Sequence, residues 1–167
     1  MIPAAFAAER YDLGDIELAP LGPDLETIAL GLAAIDPWAR VGRTPETFRT
    51  ALARPLAATF RFSIRREGAC VGALVIRHPF MRGPYVELIG LFPEAQGHGI
   101  ARAIVAWMER EVAGEATNLW LCVTDWNTPA RAAYAALGFV EVGPLPDLAA
   151  GGTTEIFMRK PFAPPHI

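Results

Sequence analysis

Two clusters of residues, about thirty positions apart, have types and spacing that could do chemistry. The first is Gln96-Gly97-His98-Gly99-Ile100-Ala101, set between a strand-like run over 85–92 and a helix-like run over 100–112. A turn of small residues at a helix N-terminus can hold a diphosphate on bare backbone N–H groups, at the positive end of the helix dipole. The same turn can equally do no more than cap the helix. The second cluster is Asn127-Thr128-Pro129-Ala130, then Tyr134, then Gly138-Phe139. Asn127 suits a helix N-cap. Tyr134 either fills a core or offers a hydroxyl that stays protonated at neutral pH, its ordinary pKa being about 10. Glu87 is the one acid in the otherwise apolar run 85–92. It is either a solvent-facing strand residue or a general base whose proton affinity is raised by a partly apolar cleft.

Other site chemistries are excluded by what is missing. A P-loop needs Gly-x-x-x-x-Gly-Lys-Ser/Thr, and the chain has no Lys-Ser or Lys-Thr pair. A dinucleotide fingerprint needs a third glycine for close helix–strand packing, where this chain has Arg102. No Cys/His spacing resembles a zinc site, so no metal is expected. Cys70 and Cys122 lie in apolar strand-like runs and are expected to be buried free thiols, which suits a reducing cytoplasm. A net charge of −3 with mixed signs lacks the basic face of a nucleic-acid binder. The uncharged apolar runs fall short of the ~18 residues of a membrane span. The first ten residues lack the basic and apolar regions of a signal peptide, so a cytoplasmic protein is expected.

The elements that must position these residues follow from the hydrophobic pattern. Residues 15–18 form a short edge strand. Gly22-Pro23-Asp24 starts a helix with Leu25, Ile28, Ala29, Leu32 and Ile35 on one face, which Asp36-Pro37 ends. Thr44-Pro45-Glu46-Thr47 opens a second helix that runs to about Ala53. From Phe60 the pattern alternates, and 60–65 and 70–76 read as a hairpin about Arg66-Glu67-Gly68. Residues 78–84 read as a loop. The run 85–92 is a third strand, whose internal Gly90 marks a bulge or a close approach by a ligand. A helix over 97–112 buries Ile100, Ile104, Trp107 and Met108. Strands over 119–123, 139–142 and 153–158 and a helix over 128–136 complete the chain. The crossover from 85–92 to 119–123 should be parallel and right-handed, with the other pairings mostly antiparallel. With 167 residues and 52% apolar content the expectation is one α+β domain over 1–167.

The two clusters together resemble the GNAT acyl-CoA N-acyltransferases. Gln96, Gly99 and Ala101 match that family's Gln/Arg-x-x-Gly-x-Gly/Ala turn, and Asn127, Ala130, Tyr134, Gly138 and Phe139 are similar to its downstream motif. The likeness covers about 60–160 well and the first fifty residues only in helix outline. It implies a mixed, mostly antiparallel twisted sheet, flanked by helices and splayed open at one parallel pair. It implies acetyl-CoA as cosubstrate, without a metal, and direct attack by a primary amine of a small molecule or peptide. The helices at about 22–53 would lie on the acceptor side and the acyl-CoA core at about 59–160. The resemblance puts the diphosphate on backbone N–H groups from Gln96, Gly97, His98, Gly99, Ile100 and Ala101. It lays the pantetheine arm along Ile89, Gly90 and Leu91, with an N–H near Leu91 polarising the thioester carbonyl. Asn127 and Tyr134 would also border the CoA. Glu87 becomes the candidate base and Tyr134 the candidate acid beside the sulfur. The loops with Trp38, Arg40 and Arg43 and with His78 to Arg82 would flank the acceptor. Their arginines would suit an acceptor bearing a carboxylate. No nucleic acid or membrane partner is implied, and a homodimer is compatible with the likeness. A non-catalytic acyl-CoA sensor of the same fold is the alternative.

Overall fold

The computed structural model describes residues 4–149 and 151–162. In chain order its elements are β1 (Tyr11–Asp12), β2 (Glu17–Pro20), α1 (Leu25–Ala33), α2 (Pro45–Ala53), β3 (Thr59–Arg66), β4 (Ala69–Phe80), β5 (Gly83–Leu91), α3 (Ile100–Glu111), β6 (Asn118–Thr124), α4 (Thr128–Ala136), β7 (Val140–Pro146) and β8 (Thr154–Pro161). The strands form one eight-stranded sheet in the order β1-β2-β3-β4-β5-β6-β8-β7. Only β5 and β6 pair in parallel among the described residues. The α+β expectation holds, with one strand, β1, that the sequence pattern does not announce.

Alternation along β4 divides the core between the two faces of the sheet. Leu74 and Ile76 join Ile64, Val86, Leu119, Leu121 and Val123 beneath Ile104, Trp107 and Met108 of α3. Ala73 and Val75 face the other way, onto Ile28, Ala29 and Leu32 of α1 and Phe48 and Leu52 of α2. The second helix starts as its sequence indicates. Thr44 is the N-cap, its hydroxyl accepting from the Thr47 N–H at 3.2 Å, and Pro45 holds the first helical position.

Three sequence expectations are corrected near the middle of the sheet. Residues 78–84 are not a loop: β4 continues to Phe80, β5 begins at Gly83, and only Met81 and Arg82, both at positive φ, make the turn. Gly90 does not mark a bulge. It stands in register opposite Ala73, and a Cβ there would collide with Leu32 and Trp38, so the missing side chain lets α1 and its following loop seat on the sheet. The bulge lies at Glu87, because Ile76 pairs with Val86 and Val75 with Leu88, leaving Glu87 without an opposite residue. The cysteines are free but half-buried rather than fully enclosed.

That bulge comes just after the parallel pairing ends. β5 and β6 are in register only at Tyr85↔Trp120 and Val86↔Leu121. Beyond those pairs β5 follows β4 as far as Leu91, while β6 follows β8 as far as Thr124. A bulge sharpens strand twist, which turns β5 away from β6 at this point. The result is a slot in the sheet, where β5 and β6 are no longer paired beyond Val86 and Leu121. At its closed end Gly83 sits directly against the Asn118 carbonyl, too close to admit a Cβ. We predict that Gly83→Ala forces these strands apart and lowers unfolding free energy by about 1–3 kcal/mol. Chemical denaturation measures this, and an unchanged midpoint would contradict the close approach.

Candidate active site

The glycine turn leaves the end of β5 and enters α3. Gln96 ties it back to the strand, its amide Nε2 donating to the Leu91 carbonyl at 3.0 Å. Gly97 and Gly99 take left-handed backbone, φ 78° and 74°, which explains glycine at both positions. A Cβ on either would meet no protein atom within 4 Å, so the space in front of the turn is open. α3 starts at Ile100 rather than at Gly97, with Gly99 as N-cap and no side chain capping its first N–H groups. A twelve-residue helix thus presents its positive end uncapped. A cavity of about 330 Å³ beside it is lined by Leu13, Gly14, Asp15, Ile16, His98, Gly99, Ile100 and Ala103.

The second cluster proves to be the two caps of α4. Asn127 is the N-cap, its side chain accepting from the Ala130 N–H at 3.4 Å, with proline in the first turn. At the other end the Phe139 N–H reaches the Tyr134 carbonyl at 3.1 Å and the Gly138 N–H reaches Ala135 at 3.0 Å. With Gly138 at φ 96°, this is a Schellman cap. Its usual apolar contact is the Tyr134–Phe139 ring pair, 5.8 Å between centroids. Tyr134 thereby packs against the same core cluster as Ile89, Leu91, Ile100 and Val123, on the α3 face of the slot. Burial pushes its hydroxyl up to about 12. No protein group accepts from or donates to that hydroxyl among the described residues.

Glu87 opens toward the other face. It is exposed, and Arg77 Nη2 donates to its carboxylate at 2.8 Å. A partly apolar cleft therefore does not surround it, contrary to expectation. Trp38, in the loop after α1, is half-buried and packs on Phe48 and over Gly90 against the α1/α2 core. Arg40 from the same loop lies 4.0 Å above the Trp126 ring, a cation–π contact that joins the loop after α1 to the loop after β6.

The sequence reading missed the groups that line this face beyond the helices. Phe80, Tyr85, Trp120 and Phe157 form an aromatic wall, with centroid spacings of 5.1 Å for Phe80–Tyr85, 6.3 Å for Phe80–Trp120 and 4.9 Å for the stacked Trp120–Phe157. The Tyr85 hydroxyl lies beside the Cys122 thiol, and burial pushes both groups upward, so both are neutral near pH 7. Glu155 stands opposite Thr124, whose hydroxyl donates to it at 3.0 Å. Burial raises the Glu155 carboxyl above its ordinary value, with a smaller push from Asp125, against the lowering effect of the Thr124 hydrogen bond. Only the β6–β8 register could have found this group, since Thr124 and Glu155 are far apart in sequence. No cluster of three or more metal-ligating side chains occurs among the described residues, and no helix there is long and apolar enough to cross a membrane.

Residues 32–139 match the acetyltransferase (GNAT) family. Among solved structures, a nourseothricin acetyltransferase is 30% identical with TM-score 0.56, over 63% of this chain and 66% of that one, just under two thirds of its length. A ribosomal-protein-S5-alanine acetyltransferase from Vibrio fischeri is 21% identical over 95% and 99%, with TM-score 0.66. RimJ of Mycobacterium smegmatis, in complex with CoA-disulfide, is 19% identical over 95% and 90%, with TM-score 0.69. These last two likenesses are of fold. No curated protein matches the chain significantly.

Because α4 has no fully buried residue, its caps carry much of its stability. Asn127→Ala should lower unfolding free energy by about 1 kcal/mol, and Asn127→Asp should restore most of it. Denaturation of the three proteins in parallel decides this. Equal midpoints would mean the cap contributes nothing.

Proposed function

The chain belongs to the acetyltransferase (GNAT) family, and from that premise we propose that it moves an acetyl group from acetyl-CoA to a primary amine of a small molecule or peptide by direct attack. The observation that carries this reading is the slot between β5 and β6 ending at an uncapped helix N-terminus with open space before it. An anion fits there, because the first-turn N–H groups have no side-chain cap and both glycines leave the approach clear. In this reading the N–H groups from Gln96 to Ala101 hold the diphosphate. The β5 edge at Ile89, Gly90 and Leu91 offers backbone groups to an extended pantetheine arm, and an N–H near Leu91 polarises the thioester carbonyl.

Proton traffic falls to two groups on opposite faces of the slot. Glu87, held in place by Arg77, takes a proton from the acceptor's ammonium through water, and the neutral amine so formed attacks the thioester carbonyl. Tyr134 serves the leaving sulfur. With its hydroxyl at about 12 it is protonated across the working pH range. It is also a weaker acid than a thiol of about 8.5, so full transfer runs uphill and its main effect is a hydrogen bond to sulfur as negative charge grows there. Direct attack needs no enzyme nucleophile, which accords with a neutral Cys122.

Gly99→Val tests the diphosphate site. A branched side chain at φ 74° would project into the open space, so acetyl-CoA affinity should fall at least tenfold while the protein stays folded. Calorimetry that finds unchanged affinity would leave the turn as a helix cap and nothing more.

Tyr134→Phe tests the transfer step. It should lower kcat roughly ten- to a thousandfold with acetyl-CoA affinity little changed. Because the hydroxyl's pKa is raised rather than lowered, wild-type activity should not decline through Tyr134 ionisation until pH approaches about 12. A Phe variant with full activity on a verified amine removes Tyr134 from the mechanism. Binding of acetyl-CoA with no turnover of any amine would favour a sensor instead.

A further inference from the structure

Building on the acetyl-transfer reading, we propose that the acceptor is a cationic amine lacking a carboxylate near its ammonium group, and that Glu155 receives that ammonium against the aromatic wall on the α1/α2 face. Three observations lead there. First, Glu155 has a neutral partner only: Thr124 donates to one oxygen, and no cation comes within ion-pair distance among the described residues. Burial and the nearby Asp125 raise its carboxyl, and the Thr124 hydrogen bond offsets this only in part. An ammonium arriving beside it supplies the missing countercharge.

Second, two of the arginines on this face are already engaged, and carboxylates outnumber them around Tyr85. Arg77 is paired with Glu87, and Arg40 lies on the Trp126 ring at the rim. The electrostatic neighbourhood of Tyr85 includes both Glu87 and Glu155, so a carboxylate carried by the acceptor would meet like charge from β5 and β8, and from Asp125 after β6. Third, neutral aromatic side chains flank Glu155 on this face. Phe80, Tyr85 and Phe157, each only partly buried and backed by Trp120, give aromatic surface on which a cation and an apolar body both gain, and Cys122 adds no charge. The pattern is an ammonium recognised at one carboxylate, with an aromatic surface for the body that carries it.

Tyramine and tyrosine differ only in the carboxylate and are suitable probes. With acetyl-CoA saturating, wild type should use tyramine with kcat/KM at least tenfold above tyrosine. Glu155→Gln keeps the size of the side chain and an oxygen for Thr124 to donate to. It should raise KM for tyramine about ten- to a hundredfold with kcat less affected and acetyl-CoA affinity unchanged. A preference for tyrosine, or a KM untouched in Glu155→Gln, overturns the inference while leaving acetyl transfer standing. Calorimetric titration of CoA-loaded protein with tyramine separates the two readings. Binding that Glu155→Gln abolishes, without turnover, supports this acceptor site and sinks acetyl transfer. Absence of tyramine from both binding and turnover overturns the site.

Discussion

The constraint on which the rest of the molecule depends is the early end of pairing between two parallel strands. β5 and β6 share only two registered positions, then each keeps its other neighbour and loses this one. The backbone groups thus exposed along 87–91 and 122–124 are an edge inside a sheet. Such groups are satisfied by water or by an extended ligand, because buried backbone donors and acceptors do not stay unpaired. The bulge at Glu87 coincides with the parting, and Gly83 lies against the Asn118 backbone at the paired end. Glu87, Leu91, the glycine turn and α4 are all arranged around this gap.

The residues with the strongest motif character do structural work at helix ends. Gly97 and Gly99 supply left-handed backbone, Gln96 fastens the turn to β5, and Asn127 and Gly138 cap α4. These duties do not compete with ligand binding. A helix entered through glycines in place of a side-chain cap keeps its first N–H groups available, and a helix capped firmly at both ends can hold Tyr134 steady against the core. One sequence requirement thus meets two physical needs.

The two faces of the slot differ in electrostatic character. On the α3 side the field is that of a helix N-terminus, which favours anions. On the α1/α2 side, carboxylates stand among neutral aromatic groups, with Arg77 and Arg40 engaged by Glu87 and Trp126. A site for an anionic donor and a cationic acceptor needs such a separation, since each field would repel the other's ligand.

Much of this was legible in the chain, wherever the physics is local. The Thr44-Pro45 cap, the periodic faces of α1 and α3, the β3–β4 alternation and the helix over 128–136 all depend on residues within a turn or two of each other. The family likeness rested on clusters of the same local kind. The two-residue turn at Met81-Arg82 was obscured because its prolines and glycine mimic a longer loop. The bulge at Glu87 depends on the register with β4, and the ion pair with Arg77 follows from it. The packing role of Gly90 is decided by Leu32 and Trp38, and the place of Glu155 beside Thr124 by the β6–β8 register. These features share one reason for being hidden: they are set by which distant backbone lies alongside, and a strand carries no sequence mark of its partner's register beyond the alternation of its own side chains.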